Sequence, residues 1–211
     1  MGVVRIFGVG LAFTAVLTVG TACTVTTTTS SSSSSSKPTS STTTSSSSAT
    51  STPTSSTPSG VAPLGDYTYL LLQASDIGPD TATTAPPVQN PGGIAGAGVT
   101  YANPDRTRSI DDLVVVFTDP ATAAQQAKER ASSYGKYVTG APQPFEVGTN
   151  GLIAVGTSPD NSKSVTYVTF AEGRVGVDLE FDSAPNDPAP SDVVLDMARR
   201  QDQLIKDRLP A

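Results

Sequence analysis

Histidine and tryptophan are absent from this 211-residue chain, cysteine occurs once, and basic side chains are few. Each absence removes a class of chemistry. Without histidine there is no Ser-His or Cys-His nucleophile, and zinc sites built on histidine or on several cysteines go with it. A single cysteine, Cys23, cannot close an internal disulfide, so a folded part must be held by burial and hydrogen bonds. The charge balance is 13 Lys and Arg against 19 Asp and Glu. Only Arg5 and Lys37 precede Leu64 and no acid does, so residues 64–211 carry 11 basic against 19 acidic side chains, a net of −8. Such a domain repels phosphate backbones and anionic lipid surfaces, which speaks against nucleic acid as a partner.

What is present divides the chain into residues 1–22, 23–63 and 64–211. The first segment has one basic residue, Arg5, followed by Ile6, Phe7, Val9, Leu11, Phe13, Val16, Leu17 and Val19 among small residues, and it closes on Gly20-Thr21-Ala22-Cys23. Small side chains before a cysteine are what a signal peptidase admits. This pattern resembles a bacterial lipoprotein signal, in which the cysteine is acylated and becomes the mature N-terminus; Gly20 stands where that family usually has leucine. The resemblance implies lipidation, as by palmitate, at Cys23, and a domain facing the extracytoplasmic side of the cell membrane. Two other readings stay open: an uncleaved membrane anchor, since about 20 helical residues span ~30 Å, and ordinary secretion.

From Thr24 to Ser59 the chain is almost wholly serine and threonine, with Lys37 and a few prolines and alanines. With so little to bury, nothing offsets the entropy of ordering it, and it is expected to be disordered. As a coil of ~40 residues its ends would lie ~35 Å apart. Ser/Thr tracts with proline also look like O-glycosylated stalks. Signal, cysteine and stalk together resemble the cell-envelope lipoproteins of actinobacteria, the mycobacterial ones especially.

The remaining chain reads as one α+β domain. Leu64–Gly78 holds an apolar cluster, Tyr67, Tyr69 and Leu70 to Leu72, that plugs an end of the core; Asp80–Gly98 has no periodicity and reads as a long loop. Gly92 to Gly98 is glycine-rich, but a strand rather than a helix follows, which argues against a phosphate cradle. Val99–Ala102 and Leu113–Phe117 read as strands. Asp119 caps and Pro120 opens a helix running to about Tyr134, with Ala123, Ala127, Ala131 and Tyr134 turned inward. Phe145–Val147 and Leu152–Thr157 read as strands joined by a hairpin at Asn150-Gly151. A turn at Glu172-Gly173 sets Phe170 opposite Val175, Val168 opposite Val177 and Thr166 opposite Leu179, which makes one face apolar. The other face then carries Tyr167, Val165 and Lys163 against Asp178, Glu180 and Asp182. A last helix, capped at Ser191 or Asp192, has the stripe Val194, Met197, Ala198, Gln201, Leu204 and Ile205. The expectation is one largely antiparallel, twisted sheet with helices packed on one face, preceded by the disordered tether. In element order this is similar to the PsbP/Mog1-like fold, a resemblance that implies an adaptor or binding role and transfers no residue.

Carboxylates are the remaining candidates for chemistry. Asp178, Glu180 and Asp182 alternate on one strand face, and Asp105, Asp111 and Asp112 gather near a turn. Such pairs serve acid/base hydrolysis or Ca²⁺ binding in other settings, but their ordinary meaning is the solvated face of a half-exposed strand. Asp160-Asn161-Ser162 reads as a turn rather than an EF-hand loop. No cofactor motif is present. The sequence therefore points to a non-catalytic envelope lipoprotein, held to the membrane by acyl chains on Cys23. Its expected partner is a small or lipidic ligand under the Asp80–Gly98 loop, with interaction with another envelope protein as the alternative.

Overall fold

The computed structural model describes residues 60–209; Cys23, the signal and nearly all of the tether lie outside them. In chain order the elements are α1 (Ala74–Ile77), β1 (Ala82–Thr83), β2 (Val88–Gln89), β3 (Gly96–Ala102), β4 (Ser109–Val116), α2 (Pro120–Arg130), β5 (Gln143–Pro144), β6 (Thr149–Thr157), β7 (Ser164–Glu172), β8 (Val175–Ser183) and α3 (Ser191–Arg208). They form one antiparallel sheet in the order β1-β3-β4-β8-β7-β6-β5, with β2 also paired to β3. The fold class is therefore α+β, as the sequence predicts.

The helices, however, cover both faces of the sheet rather than one. Side chains alternate along a strand, so Phe170 and Ala171 on β7 point to opposite sides. Phe170 belongs to the cluster that holds Val194, Met197, Ala198 and Ile205 of α3. Ala171 packs instead with Ala123 and Ala127 of α2. The stripes expected for both helices are the ones that are buried. What periodicity does not encode is the side of the sheet on which each connection crosses.

Between the sheet and α3 the space is filled by Leu70, Leu71, Tyr101, Val177, Leu179, Met197 and Ile205, all buried. Two buried polar side chains tie the lead-in segment to this layer. The Tyr101 hydroxyl donates to the Leu72 carbonyl at 2.6 Å, and the Gln201 amide donates to the Leu70 carbonyl at 2.7 Å. The Asp80–Gly98 stretch is an edge of the sheet rather than a long loop. Its short strands β1 and β2 pair along the outer edge of β3, leaving residues 82–89 exposed and covering a sheet edge that would otherwise present unpaired backbone groups.

Two turns differ from expectation in an informative way. The β7–β8 turn is Gly173-Arg174, with Gly173 at φ 52, so Phe170 lies opposite Val177 and Thr166 opposite Phe181. The register is two residues from the expected one. Because the side-chain period is also two, every face assignment survives. The expected hairpin forms with its first strand shifted: β5, Gln143–Pro144, pairs with Leu152 and Ile153 of β6, and Asn150 takes φ 54 inside β6, where the pairing with β7 slips between Thr149 and Leu152. The Phe145 amide donates to the Gly151 carbonyl as the next rung of that pairing, a side chain at Gly151 would collide with the Phe145 carbonyl, and Phe145–Val147 lies in the connection between β5 and β6. The chain enters the domain at Gly60–Ala62, against the end of β4, where the Ala62 amide donates to the Val116 carbonyl.

Candidate functional site

α2 packs mainly over β6, β7 and β8 and reaches β4 only at its Val115 end. On that side of the sheet, Gly98 and Thr100 of β3, Asp111 and Leu113 of β4, and Glu180 and Asp182 of β8 stay half-buried, with no helix across them among the described residues. The result is an open strip of sheet walled by the C-terminal part of α2. Its polar end lies toward Ser109 and Asp182, five or more residues along β4 from Val116 where the chain enters, roughly 17 Å.

Asp178, Glu180 and Asp182 share this face, as their alternation predicts. They are not the solvated surface expected of them. Asp178 is 8% exposed, beneath α2, and its Oδ2 forms an ion pair with the Arg130 guanidinium at 2.9 Å. Burial raises the Asp178 pKa against the pull of Arg130. Its Oδ1 has no hydrogen-bond partner, and the carboxyl lines a cavity of about 20 Å³ with Thr169, Gln126, Arg130 and the apolar side chains of Val115, Phe117 and Ala127, room for a single water. Further along β8, Lys163 pairs with Asp182 and lies 3.9 Å from Glu180. Burial, then the charge of Asp182, pushes Glu180 up to about 7. Asp111, directly opposite Glu180 on β4, accepts a 2.5 Å hydrogen bond from the Thr100 hydroxyl, and burial raises it as well.

Three carboxylates thus share one lysine at the open end of the strip. Chemically the group can hold a proton near neutral pH and can accept hydrogen bonds from a cation. Among the described residues no set of three or more carboxylate, cysteine or histidine side chains is placed to hold a metal ion. Asp105 is apart from this site, in an exposed turn where it accepts from Thr107, and Asp160 likewise closes a local turn with Ser158 and Ser162. Gly92 belongs to a short turn before β3, so no phosphate cradle forms.

Arg130, Thr100 and Tyr137 belong to the site without having been picked out in the sequence. Arg130 follows Ala123 and Ala127 at i+7 and i+3, on the inward stripe of α2, so a cation facing the sheet was readable there. Tyr137 stacks on Tyr167 with ring centroids 5.0 Å apart and an interplanar angle of 12°, at the rim of the same face.

Asp112 goes the other way. On β4 it points to the α3 side, paired with Val99 and Leu179, 1% exposed, and neither carboxyl oxygen has a hydrogen-bond partner. Burial pushes it up to about 7.

The fold is shared with a solved structure, the extracellular domain of PknH from Mycobacterium tuberculosis. The likeness is one of fold. The match has a TM-score of 0.52 and 12% sequence identity, over 70% of this chain and all of that domain. No protein-family profile and no curated protein sequence matches the chain.

The buried acid gives a pH test. The folded pKa of Asp112 lies above its ordinary 3.8, so the folded state binds the extra proton, and the contribution to stability is complete below about pH 4 and is lost as pH rises through 7. The loss from this group is on the order of 4 kcal/mol. Urea unfolding of wild type and Asp112→Asn is expected to show the variant gaining on wild type steadily from about pH 4 to about pH 8. Parallel pH profiles would show that Asp112 is not the buried neutral acid described.

Proposed function

We propose that this chain is a non-catalytic interaction module, tethered outside a membrane through acyl chains on Cys23 and a Ser/Thr-rich stalk. The observation that carries the reading is the half-covered sheet: one face is filled by α3 and the lead-in, and the other is left open beyond α2. An uncovered strip of a central sheet, with apolar floor and charged rim, suits contact with another molecule better than enclosure of one. Small-molecule sites ordinarily offer roughly 300–1,000 Å³, and the cavity between α2 and β8 is far below that. The stretch expected to cover a lipidic ligand is an edge of the sheet. These features favour protein interaction over ligand carriage.

The setting outside the membrane rests on the Gly20-Thr21-Ala22-Cys23 signal pattern and the stalk, and it is supported by the shared fold with a domain that is itself extracellular. The adaptor role implied by the PsbP/Mog1-like element order agrees with this reading. The non-catalytic reading is supported by the pairing of Asp178 with Arg130 and of Asp182 with Lys163.

Native mass spectrometry of the full chain purified from an actinobacterial host tests the choice of partner. The expected result is a protein mass with its N-terminal lipid and glycans but no dissociable small molecule. A discrete bound mass released on activation would overturn the interaction reading in favour of a carrier. The anchor has its own test. Cys23→Ser is expected to move the protein from the membrane fraction to the soluble or secreted fraction. A variant that stays with the membrane would point instead to an uncleaved apolar anchor.

A further inference from the structure

We propose that the open strip on the α2 side is a docking site for an extended segment of a partner protein carrying lysine or arginine side chains. The inference rests on the interaction-module reading and names the partner's chemistry. Asp111, Glu180 and Asp182 face the strip with a single Lys163 among them, an excess of two negative charges when all are ionised. Hydrogen-bond capacity is left over as well. Asp182 Oδ1 has no partner, and deeper along the same row the more than nine-tenths buried Asp178 keeps Oδ1 unpartnered beside its cavity.

The floor suits the rest of a basic side chain. Gly98 adds no bulk, and Leu113 is a half-buried apolar residue on which the methylene stem of lysine or arginine can lie while its head reaches the carboxylates. The Tyr137 ring at the rim, held by its stack on Tyr167, offers a face to a guanidinium or ammonium. An extended segment places alternate side chains on one side, and the strip follows β4, a strand of eight residues.

A bound cation favours the ionised form of Glu180, which burial and Asp182 otherwise hold near neutrality. The groups that face Glu180 are Asp111 from β4, Asp182 on its own strand, Lys163 before β7, Tyr167 on β7 and Arg130 from α2. Affinity is therefore expected to rise from about pH 6 to about pH 8 and to fall with salt.

The test is an amide-shift titration of the full chain with a short peptide of alternating lysine and valine, beside its glutamate–valine counterpart. Shifts are expected at Thr100, Leu113 and Tyr137 with the lysine peptide only. Replacing both Asp111→Asn and Glu180→Gln should weaken binding on the order of tenfold, whereas Asp196→Asn on the exposed side of α3 should leave it unchanged. Leu113→Lys places a cation over the native carboxylates and should abolish binding, which keeps the test decisive if the double variant misfolds. Equal binding of both peptides, shifts scattered over the acidic surface, or undiminished affinity in the double variant and in Leu113→Lys would overturn the proposal. Failure here with a clean native mass leaves the interaction reading standing with a different partner chemistry; a bound small molecule in that spectrum removes both.

Discussion

Along β8, three carboxylates alternate with Val177, Leu179 and Phe181, and β8 sits between β4 and β7 in the middle of the sheet. A central strand cannot turn its polar side to bulk water where a helix lies over it, so each acid must find its own relief. Asp178, under α2, has Arg130. Asp182, near the strand end, has Lys163. Glu180 lies between them with weaker support and sits near neutrality. Much of the α2 side follows from these needs: a basic residue on the inward stripe of the helix, a lysine just before β7, and an uncovered strip where the acids keep access to solvent.

The α3 side is built on a different rule. Its layer is apolar apart from a few buried polar groups, and most of those are tied to the lead-in segment. Tyr101 and Gln201 hold the carbonyls of Leu72 and Leu70, so a stretch with little regular structure is fixed to the core by specific bonds as well as by burial. Asp112 is the one acid in this layer, and it costs stability whenever it is ionised, which makes the layer sensitive to pH.

Much of this was legible in the chain itself. The stripes of α2 and α3, the Asp119-Pro120 helix start and the two faces of the β7–β8 hairpin all follow from local pattern, and the faces withstand a two-residue error in register because the strand period is two. Less legible were features that depend on pairing. Asp111 and Asp112 look like one cluster, yet once β4 begins at Ser109 they must point to opposite sides, one into the open strip and one into the core. The Asn150-Gly151 pair marks the β5–β6 hairpin, but the left-handed backbone of Asn150 also serves the slip of β6 against β7, and the strand that pairs is Gln143–Pro144 rather than Phe145–Val147. The side of the sheet taken by each helix, and so the existence of an open half, is set by how the connections cross; no residue pattern records that.

The most direct test of the account is site-specific photocrosslinking in intact cells, with the reactive side chain placed at Leu113 in the strip and, separately, at Val193 on the exposed side of α3. The account predicts one discrete protein adduct from Leu113, lost when Asp111 and Glu180 are neutralised, and no matching adduct from Val193. No adduct from Leu113 in cells where the protein is present at its normal level, or the same adducts from both positions, would contradict the claim that the uncovered half of the sheet is the working surface of this domain.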